Sequence, residues 1–404
     1  GLVKFDEPFK RLFTQGMLCA EAFYRELPDG HIRWYYPDEI EVKTDEKGRP
    51  TGAISKEDGQ PVKSAGIQKM SKSKCNVVEP RDIIKKYGAD LIRLWAGSAD
   101  YHVDVRCSEE IFKQLSQSYL KFRNTARYCL GNLDGFDADR LVAPEEMLEL
   151  DRWAVTRLNR LTEVCLRAYG DYEFHVVSHA INDFCVGDLS AFYLDIIKDR
   201  LYCDGRDSLA RRSAQTALFL ILDTMTKLFA PILAFTCDEI WLQMPHRSSD
   251  DARNVLLNEM NPVFAEYALA DDAMARWDVL AGVRSDVNGI LEQARAAKRI
   301  GKALEAEVRL FALDAEASEA LRTVQGMDLA DLFLVSDCQL AEGKPDLSKV
   351  VGAGERYKGL TVEVSEAAGT KCPRCWKHST AAQAETGLCP RCAAVIAEMD
   401  LELD

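Results

Sequence analysis

The sequence has no excess of positive charge: Lys and Arg number 51 against 65 Asp and Glu, a formal net charge of −14. That balance excludes a protein that coats nucleic acid along its whole surface, because phosphate binding relies on clustered cations that displace counterions. Any RNA contact must be local. Basic residues gather at 69–74, 121–127, 295–302 and 371–377, and each group alone reads first as a solvated helix or loop face. Uninterrupted apolar runs are missing too. The longest, 217–235, is broken by Asp223, Lys227 and Pro231, so it predicts a buried helix ending at a proline and no membrane association. The chain opens on Gly1 without the basic and apolar regions of a secretion signal, the opening expected of a truncated chain. Internal repeats and low-complexity tracts are also lacking.

What is present suits a globular protein of two to four domains: 404 residues, 47% of them hydrophobic. Of 13 cysteines, nine are scattered singly, Cys129, Cys165, Cys185 and Cys237 among them. There cysteine acts as a small buried hydrophobe, a usage that fits a reducing cytoplasm. Residues 1–68 are mixed α/β, with a helix-like run over Phe9–Tyr24, extended sequence from Trp34 to Val42, and turn signals at Lys47-Gly48 and Asp58-Gly59. Helical spacing then takes over at 82–94 and 109–130, with Ser108 as an N-cap, and continues at 150–168, 174–199, 208–229 and 232–244. Short connectors between amphipathic segments predict an antiparallel bundle. A long helix from about Asp271 to Lys298 follows a polar linker, and then a small α+β module with strands expected at 306–311, 332–335 and 360–364. The fold class is therefore mainly α.

Two motifs carry chemistry. Cys372, Cys375, Cys389 and Cys392 form two Cys-Pro-Arg-Cys turns, each offering two thiolates to one tetrahedral ion. Disulfides and a redox Cys-x-x-Cys are the alternatives, disfavoured by the cytosolic cysteine usage and by the doubled motif. Four cysteines close a zinc site without an open position, so the ion would be structural. The second motif is Lys69-Met70-Ser71-Lys72-Ser73. Two lysines three apart on a loop can follow charge developing on a triphosphate, while the serines offer donors to phosphate oxygens.

The segment KMSKSKCNVVEPRDIIKKYGADLIRLW resembles the signature of class I aminoacyl-tRNA synthetases for branched aliphatic amino acids. SADYHVDVRCSEEIFKQLSQSYLKFRNTARYCLGNLDGF, YEFHVVSHAINDFCVGDLSAFYLDIIKDRLY, RRSAQTALFLILDTMTKLFAPILAFTCDEIW and KCPRCW with its second Cys-x-x-Cys are similar to the bacterial isoleucyl type, over residues 69–404. The resemblance implies ATP-dependent ligation of isoleucine to its tRNA through an adenylate, with magnesium accompanying ATP and a monomeric cytoplasmic enzyme. Lys72 and Lys69 would be catalytic, with Met70, Ser71 and Ser73 completing the ATP-binding loop. It further implies a partial nucleotide-binding domain at 1–95, Rossmann-like and carrying that loop, and a helical anticodon-binding domain at 96–250. A tRNA-contacting α+β module at 251–365 and a zinc tail at 366–404 beside bound tRNA would follow.

Residues 6–68 resemble leucyl-tRNA synthetases instead, which keeps leucine specificity open as an alternative, and Cys75 stands where Gly or Asn is usual in the family. The family's HIGH motif, the first half of its nucleotide-binding fold and its editing insertion have no counterpart in these residues. Catalysis of this kind needs donors on both sides of the transferring group. The 404 residues alone are therefore expected to be inactive, and a non-catalytic tRNA-binding module is the competing expectation.

Overall fold

The structure, a computed structural model, describes residues 2, 4–44, 50–312, 315–323 and 327–399. The chain forms two compact units: Gly1–Arg123 with Cys165–Ala180 and Phe229–Thr236, and Asn124–Val164 with Ile181–Leu228 and Cys237–Asp404.

The first unit is built on a sheet of β1 (Leu18–Glu26), β2 (Ile32–Tyr35), β3 (Ile40–Thr44), β4 (Pro50–Ser55), β5 (Pro61–Lys69) and β6 (Val105–Arg106). The strand order is β2-β1-β5-β4-β3, all antiparallel, and the two-residue β6 adds a parallel pair with β1. Residues 9–24 do not form the expected helix: Phe9–Gly16 is irregular, and Leu18–Glu26 is a strand. The reason is tertiary. β1 pairs with β2, β5 and β6, and ladder hydrogen bonds outweigh the weak helical preference of LCAEAFYRE. The expected turn at Asp58-Gly59 joins β4 to β5, with Gly59 at φ +67°; Lys47-Gly48 lies outside the described residues.

Beyond β5, the helical stretch expected over 82–94 is two helices, α1 (Pro80–Tyr87) and α2 (Ala89–Ser98), broken at Gly88, whose φ of +86° suits glycine. α3 (Glu109–Asn132) starts where expected, the Ser108 hydroxyl accepting from the Ile111 N–H at 3.3 Å. Buried Asp90 fixes α2 to the 229–236 segment by accepting from the Thr236 N–H at 2.7 Å and its hydroxyl at 2.6 Å.

The second unit is mainly helical. α4 (Glu149–Asp171) and α5 (Phe174–Asp183), of which Cys165–Asp171 and Phe174–Ala180 belong to the first unit, lead into a π-helical stretch, Phe184–Tyr193. The short α6 (Leu194–Ile196) and α7 (Lys198–Cys203) follow, then α8 (Leu209–Phe229) and α9 (Ala234–Trp241). α8 is the axis of the core: Leu218, Phe219, Leu220, Ile221 and Leu222 are wholly buried, and it stops before Pro231 as expected. Among the described residues no helix is long and apolar enough to cross a membrane.

α10 (Asp271–Ala296) lies against a four-stranded sheet of β7 (Ala306–Ala312), β8 (Asp337–Leu340), β9 (Val350–Ala353) and β10 (Leu360–Glu366), ordered β8-β7-β10-β9. The helix approaches so closely that a Cβ on Gly352 would fall 2.1 Å from Ile290 Cδ1. Buried Asp286 of α10 accepts from the backbone N–H groups of Glu355, Arg356 and Tyr357 at 2.9–3.1 Å. After α11 (Ala315–Arg322), residues 332–335 are not the expected strand. Asp328 caps a short helix there, α12 (Leu329–Phe333), and the strand begins four residues later; the four-residue apolar run 332–335 has no period that separates the two. The tail consists of the two-residue pair β11 (Thr370–Lys371) and β12 (His378–Ser379), and α13 (Pro390–Glu398).

Candidate functional sites

The Lys69–Ser73 loop leaves the end of β5 and is held from below. Met70 donates its N–H to Leu18 O of β1 at 2.9 Å, and its side chain packs against the cluster of Ile83, Cys107 and Phe112. The buried amide of Asn76 then ties the loop off. Its Oδ1 accepts from the Ser71 N–H at 2.8 Å, and its Nδ2 donates to Ala20 O, Gln68 O and Lys69 O at 3.1–3.3 Å. A fully satisfied buried amide of this kind fixes a turn, because breaking any of these bonds strands a polar atom. Above that anchor Lys72–Lys74 form one 3₁₀ turn, and the Ser71 and Ser73 hydroxyls are 2.8 Å apart.

Lys69 and Lys72 are exposed and make no ion pair among the described residues, whereas Lys74 is engaged with Gln68 at 2.9 Å. The loop therefore offers two free ammonium groups on a pinned turn, a geometry that suits an anionic ligand. Cys75 closes the turn at φ +54°, a left-handed conformation that costs a residue bearing a Cβ about 1–2 kcal/mol. Glycine and asparagine adopt it more easily.

In the second unit Cys372, Cys375, Cys389 and Cys392 are buried, unbridged, and have their sulfurs within 4.8 Å of one another. Cys375 Sγ and Cys389 Sγ are 3.7 Å apart. Sulfur–zinc bonds of about 2.3 Å place tetrahedral sulfurs about 3.8 Å apart, so the donor set fits zinc. The first turn is shaped by Trp376 at φ +67° and by the Trp376 N–H bond to Cys372 O at 2.9 Å; the second places Cys389 as the residue capping α13. Burial alone would raise the Cys372 thiol, but the backbone N–H groups of Cys375, Cys389 and Arg374 outweigh it and draw the pKa down to about 6. Burial pushes Cys375 up to about 12. Four thiolates this close repel one another, and a dication is what allows them to ionise together.

The tail is held by cations of its own. Arg391 of α13 pairs with Asp199 at 2.9 Å and with Asp204 at 3.3 Å, Lys377 pairs with Asp331, and Arg374 donates to Cys203 O. Beside it lies a cavity of about 550 Å³, lined by Tyr202, Lys302, Leu304, Arg374, Trp376 and Lys377 among others. Trp376 is 55% exposed, and Lys302 stands 5.6 Å from its ring centre.

Three family models match the chain: an anticodon-binding domain of tRNA ligases at residues 151–310, class I tRNA synthetases (I, L, M and V) at 59–108, and a zinc finger found in FPG and IleRS at 369–395. The isoleucine–tRNA ligase of Syntrophotalea carbinolica is 46% identical over 335 residues, 82% of this chain and 35% of that protein. Those of Desulforudis audaxviator and Desulfotalea psychrophila are 43% and 41% identical over 94% and 96% of the chain, covering 40% and 41% of their own lengths. The chain belongs to the isoleucyl-tRNA synthetase family. It corresponds to the C-terminal part of these class I enzymes and spans well under half of their length. A match over 96% of the chain cannot omit residues 6–68, so the isoleucyl similarity extends through the leucyl-like opening. A leucyl-tRNA synthetase ternary complex from Agrobacterium radiobacter K84 covers 66% of this chain and is covered to 26%, at TM-score 0.41 and 15% identity, too loose a likeness to support any inference.

Within this isoleucyl-type chain, the sequence pattern marks the loop lysines and the four cysteines but misses what holds them. The signal at Asn76 is a polar residue set before the apolar Val77-Val78, too weak by itself to mark a loop anchor. Arg374 and Arg391 sit inside the Cys-Pro-Arg-Cys turns, yet their partners Cys203, Asp199 and Asp204 are about 170–190 positions away, beyond any local pattern.

Proposed function

We propose that this chain supplies the KMSKS loop, the tRNA-binding surface and the zinc-ordered tail of an enzyme that ligates isoleucine to its tRNA. The observation that carries this is the Asn76-anchored turn presenting Lys69 and Lys72 as free cations. In adenylate formation the isoleucine carboxylate attacks the α-phosphate of ATP, a new oxygen–phosphorus bond forms, and the bond to the β-phosphate bridge breaks. Charge then gathers on the departing pyrophosphate. Lys72 follows that charge, Lys69 supports it, and the Ser71 and Ser73 hydroxyls offer donors to phosphate oxygens. Met70, turned into the core, serves the loop by anchoring it. Magnesium accompanies the nucleotide, and the enzyme works as a cytoplasmic monomer.

The sequence contains no HIGH motif, so the 404 residues by themselves hold one side of a phosphate clamp. They are expected to give no isoleucine-dependent ATP–pyrophosphate exchange above a Lys72→Ala control. Exchange clearly above that control would contradict the division of labour proposed here.

For tRNA, the match at 151–310 supports an anticodon-binding role, and the exposed Trp376 beside Lys302, Arg374 and Lys377 supports a contact with an unstacked base and nearby phosphates. Trp376→Ala is expected to weaken binding by about 1–3 kcal/mol, roughly five- to 150-fold, with the zinc content unchanged. Affinity should fall steeply with added salt, as phosphate contacts require. Unchanged affinity in the variant would remove Trp376 from the interface.

A further inference from the structure

Cys203 reads in the sequence as one more isolated thiol, but the fold sets it in a single packed cluster with Cys372, Cys375, Cys389 and Cys392. Its Sγ donates to Arg374 O at 3.9 Å, and Arg374 immediately precedes Cys375. The Arg374 guanidinium in turn binds Cys203 O and reaches Cys392 Sγ at 3.7 Å. Of the four tail cysteines, only Cys375 shares the wall of the 550 Å³ cavity with Cys203, so these two thiols meet the same space. A closed four-thiolate site has no use for a fifth sulfur as a permanent ligand.

We propose that Cys203 is a reserve zinc ligand, which takes the place of Cys375 whenever that thiolate is lost from the ion. The proposal rests on the four-cysteine zinc site. In the exchange the zinc–sulfur bond to Cys375 breaks and that sulfur takes up a proton. The Cys203 thiol gives up its proton and forms the new bond, so coordination number and charge are conserved. Cys203 already packs in one buried cluster with the four ligand cysteines, so the incoming thiol starts beside the site it would join. Cys203 is the last residue of α7, and the chain leaves the helix at Asp204. The advantage is retention: Cys375 lines the cavity, and a second thiol stands ready on the same wall.

The safest variant keeps all four ligands. Zinc-loaded Cys203→Ser should release its metal to 4-(2-pyridylazo)resorcinol about tenfold faster than the unmodified protein, because the ion can no longer be caught during partial dissociation. A release rate equal to that of the unmodified protein overturns the proposal. Metal content gives the second arm: Cys375→Ser should retain zinc, whereas Cys372→Ser and the Cys203→Ser/Cys375→Ser pair should lose it. Equal loss from Cys372→Ser and Cys375→Ser also overturns it. An unmodified protein that takes up no zinc would instead sink the four-cysteine site itself.

Discussion

Stripping zinc with a chelator is expected to unfold the tail from Thr370 to Glu398 while the helical core stays folded. Structural zinc in small cysteine sites contributes apparent binding free energies of about 10 kcal/mol or more, and that energy is folding energy. Apart from the ion, the tail is held by the ion pairs of Arg391 and Lys377 and the Arg374 bond to Cys203 O, which join it to the helical unit but do not give it a core. The tail cluster includes Leu388, Ala393 and Ile396, but its centre is the four sulfurs, and its regular structure is a two-residue ladder and one nine-residue helix. Loss of the ion should also release Arg391, leaving Asp199 and Asp204 without their cation. Burial alone would raise Asp199, yet the Arg391 bond outweighs it and holds its pKa below the usual carboxylate value. Hydrogen exchange of the α13 amides reads this directly: they should exchange like an unstructured chain in chelator, while those of α8 remain protected. A protected α13 in metal-free protein would mean that packing rather than zinc orders the tail.

Asp151→Ala should be the most damaging single substitution in the helical core. The Asp151 carboxylate is completely buried and accepts from Tyr193 Oη at 2.7 Å, Ser213 Oγ at 2.5 Å and both terminal nitrogens of Arg200 at 2.8–3.0 Å. Truncation leaves a nearly buried guanidinium and two hydroxyls facing a hole, a defect worth about 3–5 kcal/mol. It would loosen four elements together: the first turn of α4, the end of the π-helical stretch, α7 and the start of α8. By contrast, the solvent-screened Arg253–Asp251 pair should contribute little despite its short distance. Urea denaturation of Asp151→Ala beside Arg253→Ala separates the cases, and a loss under about 1 kcal/mol for Asp151→Ala would show that the network is dispensable.

Much of this was legible before the fold was known, where one physical signal sufficed. The long amphipathic helices, the Ser108 cap, the stop before Pro231 and the doubled Cys-x-x-Cys follow from periodicity, capping and ligand spacing. Short elements were not. Leu18–Glu26 becomes a strand through partners at 32–35, 63–69 and 105–106, and Leu329–Phe333 becomes a helix through one Asp328 side chain. The supports of each site were hidden for the same reason. Asn76 acts on β1 more than fifty residues before it, and Cys203 meets the zinc turns from about 170 residues away. Such pairings exist only after the chain has folded.

The most direct test of the central claim is the affinity of the unmodified protein for an isoleucine tRNA and a leucine tRNA, measured side by side by filter binding in zinc-containing buffer across a range of salt. Tighter binding of the isoleucine tRNA is predicted, with both affinities falling as salt rises. Equal affinity for the two tRNAs, or none for either, would contradict the assignment of this chain as the tRNA-reading part of an isoleucine ligase.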